Sequence, residues 1–153
     1  GMFVRWAARS SYQQLEVRRV MRDITAKDLM LPRQDMVPPD ISVAELVQRH
    51  VYQFQQPVFP VIDRDELIGT VGLDEIRVVP QENWPLATVR QIMRPVDETT
   101  IIAPDTSALD AMRQLQQAEV EALIVARDHH PLGVVSQSDI LKLIGLRMDL
   151  EAR

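Results

Sequence analysis

Apolar positions along the chain fall into helical and extended patterns that follow one another in a fixed order, and the order occurs twice. Val4, Ala8, Tyr12 and Leu15 form one helical stripe in a stretch, Phe3 to Met21, without Pro or Gly, which predicts a long amphipathic helix. Ile24 to Met30 reads as a one-turn helix closing on Met, and Thr88 to Met93 has the same shape 63 positions later. Pro39-Asp40-Ile41-Ser42 matches Pro104-Asp105-Thr106-Ser107 at an offset of 65. Ser42 with Glu45, and Ser107 with Asp110, have the spacing of a capping box, in which hydroxyl and acid satisfy each other's backbone N–H groups. The helices that start there carry Val43, Leu46, Val47, Val51 and Phe54 in one copy and Ala108, Ala111, Met112 and Leu115 in the other.

Two strand pairs come next, Val58 to Ile62 with Leu67 to Val71, and Ala122 to Ala126 with Leu132 to Val135, each joined by a polar turn of hairpin length. A helix closes each copy, Asp74 to Val79 and Ser138 to Leu146. With a short first strand at Asp35 to Val37 or Thr100 to Ile102, the unit is β-α-β-β-α, and the fold class is α/β. Pro80 to Pro85 is a stiff connector. One such unit of about 60 residues buries little apolar surface alone, so the two are expected to pack sheet to sheet, with Met30, Met93, Val71 and Val135 near the shared core.

The junction of last strand and last helix holds the candidate chemistry. Leu132-Gly133-Val-Val-Ser136-Gln-Ser-Asp139-Ile140 repeats Ile68-Gly69-Thr-Val-Gly72-Leu-Asp-Glu75-Ile76 at an offset of 64. A strand running into a helix leaves backbone N–H groups that attract phosphate or carboxylate oxygens. The second copy adds Ser136 and Asp139 there, and the first has Gly72 and Glu75. Ser136 and Asp139 have two readings, a ligand site or a helix cap. Lys142, one turn on, lies within reach of a phosphate or is simply solvated.

Composition narrows the classes. Of 153 residues, 46% are hydrophobic and 5% aromatic, mostly aliphatic, which suits α/β packing better than a nucleic-acid platform. There is no Cys, so disulfides and thiol chemistry are excluded. No run of about 18 apolar residues spans a membrane and no secretion signal is evident; Gly1-Met2 has the form of a trimmed tag. The net charge is −5, yet residues 1 to 22 carry five Arg against one Glu. The acidic remainder argues against nucleic acid as a partner. The basic helix either packs its stripe on the domain or lies beside an anionic membrane surface, where Trp6 would suit the interface.

In their order, twice over, the Met-ended turns, the Pro-Asp-x-Ser pairs and the Gly133, Ser136, Asp139 ending resemble the tandem CBS domain, or Bateman module. The resemblance covers residues 24 to 146. It implies residues 1–23 as an N-terminal basic amphipathic helix, 24–86 as repeat 1 with linker, 87–146 as repeat 2 and 147–153 as a tail. It further implies a regulatory, non-catalytic role, a homodimer, and ATP, ADP, AMP or S-adenosylmethionine as regulatory ligand with no required cofactor. The ligand set implied is Ser136, meeting phosphate, and Asp139, meeting ribose, with Thr100, Ile102 and Lys142; Gly72 and Glu75 mark a degenerate second site. With the basic helix in front, the chain also resembles the cytoplasmic, membrane-adjacent tail of prokaryotic site-2-type membrane zinc proteases, although it lacks their His-Glu-x-x-His. Empty clefts in a purely structural dimerisation module are the alternative.

Other residue types add little. His50, His129 and His130 are dispersed and lack Cys or spaced acidic partners, so no metal site is expected. His50 is expected on the first amphipathic helix as a residue at the boundary of its apolar face, and Trp84 is expected to pack on the linker. No catalytic constellation stands out.

Overall fold

The computed structural model of the protein describes residues 15–30 and 35–151. The long predicted helix lies outside them before residue 15; residues 15–23 are helical (α1) and bury Val20 and Met21. Both Met-ended turns form as predicted. In α2 (Ala26–Leu29) the Thr25 N–H donates to the Asp28 carboxylate at 3.1 Å, and in α6 (Val89–Ile92) the Thr88 N–H donates to Gln91 Oε1 at 3.0 Å.

Each repeat builds a three-stranded sheet under helices. The first joins β1 (Val58–Asp63), β2 (Glu66–Gly72) and β3 (Arg94–Pro95), and the second joins β4 (Ile101–Ile102), β5 (Ala122–Arg127) and β6 (His130–Ser136). β4 runs parallel to β5, and its counterpart in the first repeat is reduced to one bridge, Val37 to Val61. Both hairpins turn on two residues of left-handed backbone, Arg64 and Asp65 or Asp128 and His129, the geometry that matches strand twist. These turns also meet, through Leu67 N–H to His129 O at 3.1 Å and His130 Nδ1 to Asp65 O at 2.9 Å.

The helices depart from expectation in three places. Ser42 and Ser107 each accept from the N–H three residues on, at 3.1 Å. Their acids turn outward to arginines instead of completing the box: Glu45 to Arg49 at 3.2 Å and Asp110 to Arg113 at 3.6 Å. Between α3 (Val43–Glu45) and α4 (Tyr52–Phe54) the helix widens to a π turn over Leu46–Val51, which keeps the adjacent Leu46 and Val47 buried together. Helix α5 spans Leu73–Arg77, α7 spans Ala108–Ala118, and α8 runs Gln137–Glu151, past Leu146, because Met148 packs on the core and Glu151 meets Arg19 at 3.0 Å.

The two Met-ended turns are exchanged between repeats. Ala26 N–H donates to Thr106 O and Ala108 N–H to Ile24 O, both at 2.8 Å; Val43 N–H donates to Ala87 O at 2.8 Å and Val89 N–H to Ile41 O at 3.0 Å. Accordingly Ile24, Ala26 and Leu29 are buried with Leu115, Val135 and Ile140, whereas Val89 is buried with Leu46, Phe59 and Val71. The sheets do share a core, made of Leu67, Ala122, Ile124 and Val134 with Val58 and Ile101 at its edge. Met30, Met93, Val71 and Val135 are not in it. Alternate strand residues face opposite ways, so Val135, next to Val134, must face the helices, and the methionines close turns packed on that side. In the linker, Gln81–Asn83 makes a 3₁₀ turn, and the Trp84 indole donates to Val79 O at 3.0 Å while packing on the first repeat's core.

Candidate functional site

Ser136 ends β6, and Asp139 stands in the first turn of α8. The Ser136 hydroxyl donates to Asp139 Oδ2 at 2.8 Å and accepts from the Asp139 N–H at 3.2 Å, while the Ser136 N–H reaches the same Oδ2 at 3.4 Å. Ser138 Oγ lies 3.1 Å from Ser136 Oγ. This is a complete capping box. Ser136 is buried and Asp139 half-buried, and both bonds that the Asp139 carboxylate accepts from Ser136 end on Oδ2. Lys142 is exposed one turn further along.

The remaining predicted residues divide. Ile102 is buried in the helix–sheet core beside Val135 and Ile140, behind the junction rather than open to a ligand. Thr100 does not stand with Ser136 and Asp139; it lines a cleft of about 230 Å³ with Gly72 and Glu75. Arg94, Glu119 and Glu121 complete that cleft, contributed by the linker side and the other repeat. Sequence spacing gives no sign of these three, because Arg94 follows an exchanged turn and Glu119 and Glu121 come across from the facing sheet, all far along the chain from Glu75.

Glu75 takes the Gly72 N–H at 2.8 Å and faces Arg94 Nε at 3.7 Å. Burial raises its carboxyl above the ordinary glutamate value, against the lowering effects of the Gly72 bond and Arg94; Asp74 adds to the rise. Four carboxylates, Asp74, Glu75, Glu119 and Glu121, face one guanidinium in a space smaller than the roughly 300–1,000 Å³ of common ligand pockets. Three residues before Thr100, Asp97 accepts from Thr99 N–H at 2.9 Å, and this bond holds its carboxyl below the ordinary aspartate value.

His50 is half-buried, at the boundary between core and surface: its Nδ1 meets Asp35 Oδ2, and its ring stands edge-on to Phe59 at 6.4 Å. Nearby, Gln56 Nε2 donates to Asp35 O at 3.1 Å and Val58 O at 3.2 Å.

Residues 89–146 match the family model of the CBS domain. The chain contains a CBS domain. Its whole fold is that of solved CBS modules: the CBS domain of a bacterial CNNM/CorC family Mg2+ transporter, solved in complex with ATP, superposes with a TM-score of 0.73 at 15% identity, covering 89% of this chain and 97% of that one. Among curated relatives, a protein of Synechocystis named as a zinc metalloprotease is 29% identical over 96 residues, 61% of this chain and 25% of that protein. A zinc metalloprotease of Methanocaldococcus jannaschii is 30% identical over 79 residues, 50% of this chain and 22% of that protein. The CBS chain thus spans about a quarter of the length of these relatives.

Proposed function

We propose that this chain is a regulatory CBS module that binds an adenine nucleotide at Ser136 and Asp139 and controls an attached membrane protein of the zinc metalloprotease kind. The observation that carries the reading is the half-buried Asp139 in the first turn of a fifteen-residue helix, where both bonds its carboxylate accepts from Ser136 fall on Oδ2. A carboxylate so placed suits ribose hydroxyls, while the helix start and Lys142 suit phosphate. The ATP complex of the similar transporter module supports the ligand class, and the metalloprotease names of the curated relatives support the attached protein. The acidic Gly72–Glu75–Thr100 cleft is the weaker one.

Calorimetry with ATP, ADP, AMP and S-adenosylmethionine tests this. One nucleotide should bind, and Asp139→Ala should weaken it roughly ten- to a hundred-fold through loss of a charge-assisted bond, with Glu75→Ala nearly without effect. Two equal sites, or binding that survives Asp139→Ala, would overturn the assignment. No heat in a folded protein would favour the second reading, a structural module with empty clefts, to which the mutually satisfied Ser136–Asp139 cap also conforms.

Two further expectations belong to this reading. Exposed Tyr52, Leu73, Val78 and Leu141 on the helical faces suit a homodimer; a monomer at tens of micromolar in sedimentation would count against it. The net charge of +4 over residues 1 to 22 suits a membrane-adjacent, cytoplasmic position, so that segment should prefer anionic over neutral vesicles.

A further inference from the structure

Helix α1 is apolar on two opposite sides. At about 100° per residue, Val17, Val20 and Met21 gather on one side with Ile24 beyond them, and all four lie in or against the helix-side core of the second repeat. Leu15 falls on the other side and is 67% exposed. The stripe that the sequence draws through Val4, Ala8, Tyr12 and Leu15 is therefore a different one from the stripe that the domain covers, and its described member turns outward.

The same outer side carries arginines. Arg18, Arg19 and Arg22 are all exposed. Arg19 is engaged by acids of the chain itself, Glu16 at 2.6 Å and Glu151 at 3.0 Å. Because Glu151 ends α8, this bridge also holds α1 to the second repeat. Arg18 and Arg22 make no ion pair among the described residues.

We propose that the outer face of α1 docks on an anionic lipid surface, with Leu15 in the interfacial layer and Arg18 and Arg22 on lipid phosphates. The proposal rests on the membrane-adjacent reading given above and assigns the face that makes the contact. A helix held from behind by its domain, with an apolar side chain and unpaired arginines in front, gains from such a surface both ways: each Arg is attracted by the anionic leaflet, and the apolar side chain leaves water. Charge also sets the orientation. Residues 1 to 22 carry +4 of a total of −5, which leaves −9 on the remainder, so an anionic leaflet attracts this face and repels the body behind it. A second copy laid on the same face by a two-fold axis along the helix would bring Arg18 and Arg22 against their own equivalents, which like charge opposes.

The test is cosedimentation of the whole chain with phosphatidylcholine vesicles, with and without phosphatidylglycerol, at low salt. The wild type should bind the anionic vesicles and not the neutral ones, and added salt should weaken it. Arg18→Gln and Arg22→Gln should each weaken binding about fivefold, and Leu15→Gln, which changes no charge, roughly three- to tenfold. Arg77→Gln, on α5 in the first repeat, makes the same change of net charge and should leave binding within about twofold. All four side chains are exposed, so circular dichroism of the variants should match the wild type. Equal binding to both kinds of vesicle, or none, overturns the proposal together with the membrane-adjacent reading. Anionic binding that the α1 variants leave unchanged, or that Arg77→Gln weakens as much, overturns the face and leaves that reading. A change of oligomeric state in Leu15→Gln with vesicle binding intact gives the face to a second copy and overturns the proposal too.

Discussion

Gly72 lies beneath the Pro57 carbonyl so closely that a Cβ built on it would stand 2.6 Å from that oxygen. The residue is extended, with φ −146°, so space rather than backbone conformation demands glycine. In the sequence Gly72 stands where the second copy has Ser136, and Gly72→Ser is the variant that supplies the missing hydroxyl. Backbone must shift to admit the serine, at about 1–3 kcal/mol, and urea unfolding should show that loss with no new nucleotide site by calorimetry.

Glu75 gives a signed pH effect. Its folded carboxyl lies above the ordinary glutamate value, mainly through burial, so the folded state holds the proton more tightly than the unfolded one. Its contribution to stability is full below the unfolded value, about 4.3, and is lost as pH rises through the folded value. Glu75→Gln keeps an oxygen for the Gly72 N–H and should flatten stability against pH just above the ordinary glutamate range. Denaturation midpoints at several pH values check this, and an unchanged slope would contradict it.

Trp84 makes the linker part of the first repeat. Its indole donates to Val79 O, its carbonyl accepts from Ala44 N–H at 3.0 Å, and its ring packs on the core of Val43, Leu46 and Phe59. Trp84→Ala should cost about 2–3 kcal/mol, and Trp84→Phe about 1 kcal/mol for the lost hydrogen bond. Chemical denaturation separates the two.

Division of the chain at Asn83 should leave neither half folded. The first half would lack Val89, Ile92 and Met93 on its core, and the second would lack Ile24, Ala26 and Leu29. Circular dichroism should show no cooperative transition for either alone and recovery when both are mixed; two well-dispersed, independently melting halves would refute the exchange.

Much of this was readable beforehand because the sequence states it locally. Thr25, Thr88, Ser42 and Ser107 announce helix starts within four residues, and the hairpins follow from alternation around polar turns. Ser136 and Asp139 likewise name each other through a three-residue spacing. What escaped depends on residues far apart in sequence. The exchanged turns, the placing of Thr100 opposite Gly72, and the meeting of Arg94 with Glu75 arise from which repeat covers which, and an offset of 64 is the same either way. The π turn escaped for another reason: the period of Val43, Leu46, Val47 and Val51 fits an ordinary helix, and only packing widens it.

The exchanged turns also set an order of events on the ribosome. Ile24 and Leu29 are made early, yet the residues that cover them include Ile140 and Ile144, more than a hundred positions later. At about 5–20 residues per second, this apolar turn waits on the order of 6 to 23 seconds for its partner. The first repeat's own layer closes sooner, once Val89 has emerged. A nascent chain therefore presents a nearly finished first half trailing an uncovered apolar turn, and a chaperone that shields short amphipathic segments has its natural target at Ile24 to Met30.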